Sequence, residues 1–309
     1  MCVVALALLC IIVVSGAGVR LTGSGLGCED WPNCNNEKLI DVSSTHAAIE
    51  QINRLFTGLV ALGVILAVLG SLVRAPRRRD LTWLSVGLVA GVLAQVVLGG
   101  ITVLVDLHPL AVQGHFLLSM VLVANAVSLV YRAGLPDGQR VARVSRPVRR
   151  HVWWSAGATL LAIVAGTVLT GAGPHAGDEQ ARRFDLDISH VARLHGGAVW
   201  LALTVFGALL WRLRNRPADR AVLDGPLVAW FCVAVAQSAI GYVQYFSGVP
   251  AALVAVHVAG ATALWMITWW IVESLRASSV DANASPPGAG AAGSVGEHVD
   301  ELGTLVDHG

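Results

Sequence analysis

Apolar residues along this chain gather into long runs separated by short polar stretches. A run of about 20 apolar residues is the length that crosses a bilayer's hydrocarbon core as a helix. Such runs cover roughly 2–19, 47–73, 82–104, 110–131, 152–172, 189–211, 225–247 and 251–275, which predicts eight transmembrane helices. The first run has no charged leading segment and no small-residue cleavage site, so it reads as an anchor helix rather than a signal peptide. Because Met1 sits directly at the membrane, the native chain is open to a start further upstream. The stretch beyond 275 is rich in Ser, Ala, Gly, Pro and acidic residues and has little to bury, which predicts a disordered tail over 276–309.

Composition agrees with the pattern. Of 309 residues 55% are hydrophobic and only 13% charged, with mean hydropathy +0.66. A soluble domain carries about 25% charge, and even a large core needs a charged surface around it, so lipid must solvate most of this chain. That excludes a soluble binding module, and no nucleic-acid partner is expected. The net charge of +1 says less than the placement of the charges. Arg74, Arg77, Arg78 and Arg79 follow the second span; Arg132, Arg140, Arg143, Arg146, Arg149 and Arg150 follow the fourth. Arg212, Arg214, Arg216 and Arg220 follow the sixth, and Arg276 the eighth, whereas the opposite loops carry only Arg20, Lys38, Arg182 and Arg183. By the positive-inside rule both termini face the cytoplasm and the loops at 20–46, 105–109, 173–188 and 248–250 face outside.

The chain also repeats itself. Leu21-Thr22-Gly23-Ser24-Gly25 returns as Leu169-Thr170-Gly171-Ala172-Gly173, and a constant offset of 142 pairs Gln95 with Gln237, Gly99 with Gly241, His115 with His257 and Asn53 with His195. Each half has four spans, an even number, so the halves share one topology and an axis along the membrane normal. The fold class predicted is all-α integral membrane, with eight transmembrane helices as two parallel-repeat four-helix bundles. The boundaries are 1–132 for the N-terminal bundle, 133–151 for a basic cytoplasmic linker, 152–275 for the C-terminal bundle and 276–309 for the tail.

Titratable residues at bilayer depth are rare and usually functional. His195 and His257 each sit several residues inside an apolar run, and two facing imidazoles in a four-helix bundle make a natural axial pair for haem iron. A lone histidine would be read as a hydrogen-bonding group between helices; the repeat returns His115 at the place of His257 and raises the ligand reading. The first half differs. It has Asn53, a poor iron ligand, in place of His195, and it adds Glu50 and Arg54 where the second half has Ala192 and Gly196. His46, Glu50 and Asn53 share one helical stripe, with His46 about 10 Å nearer the outer surface than Asn53. Iron held by His115 alone keeps an open position, which suits oxidative chemistry, whereas two histidines suit electron transfer. The first half is therefore expected to be catalytic and the second to hold an electron-transfer or structural haem. Glu50 is the catalytic candidate, Arg54 could pair with a haem propionate, and His46 is a further ligand or proton-handling candidate; a plain Glu50–Arg54 ion pair ordering the helix is the blander reading. His108, His151, His175 and His190 are read as structural or solvated.

Cys2, Cys10 and Cys232 lie in apolar segments and behave as small hydrophobes. Cys28 and Cys34 fall in the first outer loop, where a disulfide is permitted; a metal site and a transient redox pair are the alternatives.

Together these residues resemble the haem A synthase family of bacteria. The stretch Gly18-Val19-Arg20-Leu21-Thr22-Gly23-Ser24-Gly25-Leu26-Gly27-Cys28, continuing to Asp30-Trp31-Pro32 and Cys34, is similar to that family's first-loop signature. The likeness extends to Glu50, Asn53-Arg54, Thr102-Val103, His115, His195 and His257. It implies an eight-helix membrane oxidoreductase that oxidises the C8 methyl of haem O to a formyl group, giving haem A for cytochrome c oxidase. It further implies haem b as cofactor on His195 and His257, His115 in the site of substrate haem O and product haem A, catalysis at Glu50, and a redox-active or structural Cys28–Cys34 pair. Partners implied are haem O synthase, an electron donor of quinol or ferredoxin-like kind, and the lipid bilayer, with a homo-oligomer left open. The chain departs from the family at Asn53, where a fourth histidine is usual, and in a third outer loop without cysteines. A dihaem electron-transfer cytochrome would instead have two equivalent bis-histidine sites, and a haem transporter or chaperone would have no need of Glu50.

Overall fold

With no water in the hydrocarbon layer, each backbone N–H and C=O must be paired inside the protein, and helices achieve this within one segment. The structure, a computed structural model described here for residues 1–280, follows that constraint. Its helices are α1 (Cys2–Leu21), α2 (Thr45–Val73), α3 (Arg79–Leu104), α4 (Pro109–Ala133), α5 (Arg146–Ala172), α6 (Ile188–Leu213), α7 (Pro217–Phe246) and α8 (Ala251–Ser274). All eight are long and apolar enough to cross a membrane, as the hydrophobic runs predict.

The helices outrun the apolar runs because polar caps carry them past the membrane. Ser44 accepts from the N–H of Ala47 at 3.1 Å and starts α2. Asp187 accepts from His190 N–H at 3.0 Å and starts α6. Pro147 and Pro217 occupy first-turn positions of α5 and α7, where a missing N–H costs nothing. α5 thus begins at Arg146, inside the segment expected to be linker, and α7 begins well before its apolar run. The linker also holds strand β1 (Arg140–Ala142), which pairs antiparallel with β2 (Arg276–Ser278). Residues 276–278, expected to begin a disordered tail, are ordered by this backbone pairing; the part of that expected tail from 281 lies outside the described residues.

The repeat is visible in the packing. Within the first half α1 packs on α2 and α4, and α3 on α2 and α4; within the second, α5 packs on α6 and α8, and α7 on α6 and α8. One core joins Leu9, Val64, Leu88 and Leu129 of the first bundle. Another joins Val148, Phe206, Trp230 and Ile271 of the second. A third lies where the bundles meet, with Val13, Met120, Val123, Ile163 and Trp265 drawn from α1, α4, α5 and α8.

Lipid tails are as apolar as leucine, so the hydrophobic effect does not press two bundles together; close packing and interhelical hydrogen bonds must. The α4–α8 seam supplies both. Trp265 donates its indole N–H to the carbonyl of Met120 at 2.8 Å, and Trp269 to the hydroxyl of Ser128 at 2.7 Å. At the arginine-rich end Glu273 of α8 is buried and accepts from Ser128 and Arg132 of α4, each at 2.8 Å, and from Arg140 of β1 at 2.8 Å. The carboxylate is compensated by two guanidiniums and a hydroxyl, the condition for burying a charge at tolerable cost.

At the opposite, disulfide-bearing end, four loops lace into a cap. Arg20 donates to the carbonyls of His175 at 2.6 Å and Thr170 at 2.8 Å, tying the end of α1 to the end of α5. Gly25 N–H donates to Gly177 at 2.8 Å, and the His175 imidazole donates to Val249 at 2.8 Å. His175 thus has the structural role expected of it.

Removing the Glu273 carboxylate would leave two partly buried guanidiniums without their counter-ion. Glu273→Ala is expected to destabilise the seam by about 3 kcal/mol and to lower the melting midpoint in detergent by several degrees, while Arg276→Ala, an exposed control, leaves it unchanged.

Candidate functional site

The imidazoles that the repeat singles out lie on α4, α6 and α8. His195 of α6 and His257 of α8 face one another, with ring centroids 6.4 Å apart and planes at 79°. An imidazole nitrogen binds a first-row metal at about 2 Å and lies about 1 Å from its own ring centre, so two collinear axial ligands stand about 6 Å apart, centre to centre. The pair therefore has the spacing for one iron between two histidines. His195 donates Nδ1–H to the carbonyl of Ala162 on α5 at 3.0 Å. That leaves Nε2 as the lone-pair nitrogen and orients the ring, the usual second bond of a ligating histidine. His257 differs: its Nδ1 is buried without a partner among the described residues.

Each of the three imidazoles leans on a glycine of a neighbouring helix. A Cβ at Gly166 of α5 would stand 3.1 Å from the His195 ring, one at Gly241 of α7 3.3 Å from His257, and one at Gly99 of α3 3.2 Å from His115. Any larger residue there would push the ring. The Gly99 and Gly241 pairing that the repeat exposes thus has a steric reason. Below His115, Gln95 donates its amide to the His115 carbonyl at 3.1 Å and to the Ser119 hydroxyl at 2.6 Å, anchoring α3 to α4. The His115 Nδ1 is buried and unpartnered, like that of His257. These two rings lack the second bond that His195 has, but the three imidazoles, two of them facing at the spacing of a shared ligand, are a suitable donor set for haem iron.

Asn53 does not replace the missing imidazole. Its Oδ1 accepts from the Ser15 hydroxyl of α1 at 2.8 Å, so the side chain serves to pin α2 to α1. His46 stands exposed in the first turn of α2, with Nδ1 2.9 Å from the Ser24 hydroxyl. Both contacts join groups 38 and 22 residues apart, and no local pattern announces them.

Glu50 and Arg54 form the ion pair of the blander reading, and it reaches further than α2. Glu50 is buried; one oxygen accepts from Arg54 Nη2 at 2.6 Å and Nε at 2.9 Å, the other from the backbone N–H of Cys28 at 2.8 Å. Arg54 Nη1 in turn donates to the carbonyls of Asp30 at 3.2 Å and Asn33 at 3.1 Å. Cys28 and Cys34 are joined as a disulfide and both are buried. The pair therefore holds the cystine loop down on α2. Gly27 makes this seating feasible, because a Cβ there would collide with the backbone of His46. Trp31 of the same loop lies against Gly100 of α3. Among the described residues no cluster of three or more His, Cys, Asp or Glu could hold a metal by itself.

The α6 start near His195 has a pH-sensitive cap. The Ser189 hydroxyl and the His190 N–H hold the Asp187 carboxyl below the usual range. Its stabilising effect is present above the unfolded-state pKa and is lost as pH falls through the lowered folded one.

Fold and site together define an internally repeated, eight-span membrane protein with one facing histidine pair and one single histidine at the repeat-related place. A family model described as cytochrome oxidase assembly protein matches residues 1–269, and the chain belongs to that family. It is similar to a protein of Shouchella clausii named haem A synthase, 25% identical over 244 residues that cover 75% of this chain and 81% of that one. A haem A synthase of Bacillus mycoides is 23% identical over 291 residues, covering 89% and 92%. One of Listeria welshimeri is 30% identical over 122 residues, covering 38% and 40%.

If the ion pair holds the cystine loop, Glu50→Gln and Arg54→Ala should each expose the Cys28–Cys34 bond. Reduction by a mild water-soluble thiol, followed by alkylation and mass measurement, is expected to run several-fold faster in both variants than in wild type.

Proposed function

We propose that this chain is a haem A synthase, a membrane oxidoreductase that converts the C8 methyl of haem O to the formyl group of haem A. The observation that carries the reading is the unequal repeat, with a closed imidazole pair in one half and a single imidazole in the other. Membership of a cytochrome oxidase assembly family and the names of the relatives agree with it.

His195 and His257 would hold a haem b, which would supply electron transfer when bound. The Ala162 carbonyl fixes the His195 tautomer and the orientation of its ring. His115 holds the iron of the substrate haem O, taken up from the bilayer into the first bundle. Asn53, whose amide oxygen accepts from Ser15, would supply no second imidazole to that haem. Conversion of the methyl to the formyl group removes four electrons and adds one oxygen atom; an external oxidant would take these electrons in two successive hydroxylations, and loss of water from the gem-diol would give the aldehyde. Glu50 handles protons and stabilises developing positive charge, since a carboxylate in a low-dielectric setting interacts strongly with nearby charge. Its bond to Arg54 couples that role to the seating of the cystine loop, and His46 with Ser24 provides a proton-handling group nearer the outer surface.

In this reading both termini lie in the cytoplasm of a bacterial cell and the disulfide loop outside the plasma membrane, an oxidising setting, which the arginine-rich loops support. Haem O synthase and a quinol or ferredoxin-like donor are the partners this activity requires.

Co-expressed with a haem O synthase under aerobic conditions, the wild-type chain is expected to yield extractable haem A. Glu50→Ala should abolish it while retaining haem b. No haem A from wild type would sink the enzymatic reading. Independently, His257→Ala and His195→Ala should each remove the low-spin bis-histidine absorption spectrum, whereas His115→Ala should leave it; an unchanged spectrum in the first two would remove the haem b assignment.

A further inference from the structure

Between α5 and α6, at the arginine-rich end, lies a groove of about 600 Å3 that includes none of the three candidate ligands. Its volume falls within the range of about 300–1,000 Å3 typical of small-molecule sites. The walls are apolar, with Trp154 and Leu161 on one side and Leu201 on the other. His151 crosses between the helices and donates to the Val205 carbonyl at 2.9 Å, and the Thr204 hydroxyl donates to Trp200 at 2.8 Å, so both are already engaged. What remains is charge at the mouth. Arg150 sits in the second turn of α5 and Arg212 in the last turn of α6, both exposed and both lining the groove.

Some arginines at this end have carboxylates: Arg78 has Asp80, Arg132 and Arg140 have Glu273, and Arg220 has Asp224. Arg150 and Arg212, like Arg77, Arg79, Arg143, Arg146, Arg149, Arg214 and Arg276, have no such partner among the described residues, and they are the two arginines that line the groove. The internal repeat offers a comparison, since the equivalent positions in the first half are Cys2 and Gly70 and that of Trp154 is Leu6. The second half alone carries the cationic mouth and the tryptophan.

We propose that this groove binds one anionic phospholipid. Its phosphate lies against the Arg150 and Arg212 guanidiniums, and an acyl chain fills the trough between Trp154, Leu161 and Leu201. Guanidinium recognises phosphate through paired, charge-assisted hydrogen bonds, and basic pockets between spanning helices are known acceptors of acidic lipid heads. Trp154 then sits at headgroup depth, where tryptophan is enriched.

The test uses the full-length chain in mild detergent, titrated with phosphatidylglycerol or phosphatidylcholine of the same acyl chains and read by native mass spectrometry. One phosphatidylglycerol should be retained in preference to phosphatidylcholine, and Arg150→Ala with Arg212→Ala should weaken its retention about tenfold, as expected for lost charge-assisted bonds. Arg77→Ala with Arg79→Ala removes equal charge outside the groove and should change nothing. Gly157→Leu gives a reading independent of the arginines: a Cβ at Gly157 meets nothing within 4 Å, so leucine enters open space in the groove and should displace the lipid while both arginines stay. Dichroism and melting midpoint establish that each variant is folded, and if the arginine variant is not, the Gly157→Leu result decides. Equal retention of the two lipids, or undiminished phosphatidylglycerol binding in Gly157→Leu, overturns the proposal.

Discussion

The packing of α4 against α8 is the contact on which the rest of the structure depends. These two helices occupy equivalent places in the repeat, and they carry the equivalent histidines His115 and His257. Because they meet each other, α1 and α5 are each brought against the helix of the opposite half, and the bundles become one body. In lipid this contact cannot rest on the hydrophobic effect. It rests on the interlocked side chains around Trp265 and on directed bonds from Trp265, Trp269 and the arginines that share Glu273.

A repeat placed about such a seam starts with two like sites and can then let them diverge. The second half keeps an imidazole from both α6 and α8, held at the spacing of two axial ligands. In the first half the residue at the α6-equivalent place is Asn53, and its side chain is taken by Ser15. The polar groups added there, Glu50 and Arg54, turn toward the cystine loop rather than standing unpaired beside His115. One ion pair thus seats the loop, and the Glu50 carboxylate is bonded to the loop backbone through the Cys28 N–H.

Sequence pattern made much of this legible. Eight spans follow from apolar run length, because the bilayer sets a length that few other environments demand. The two-bundle repeat and the three histidines follow from the constant offset, since the steric need for Gly99 beside His115 is the same as for Gly241 beside His257. Helix ends were less legible at Arg146 and Pro217, where capping and first-turn prolines extend a helix into polar sequence. Residues 276–278 have the composition of a loose tail, and only strand pairing with 140–142 orders them.

What the chain determined by itself is therefore what depends on local chemistry: where it crosses the membrane, that it does so twice over by one plan, and which imidazoles lie at depth. The tertiary structure alone decided the partners. Glu273 meets Arg132 across 141 residues, Arg20 meets His175 across 155, and Arg54 reaches the carbonyls of a loop more than 20 residues before it. The physical reason is that a buried polar group is committed by whichever neighbour the fold brings within hydrogen-bonding distance, and that neighbour has no fixed spacing along the chain.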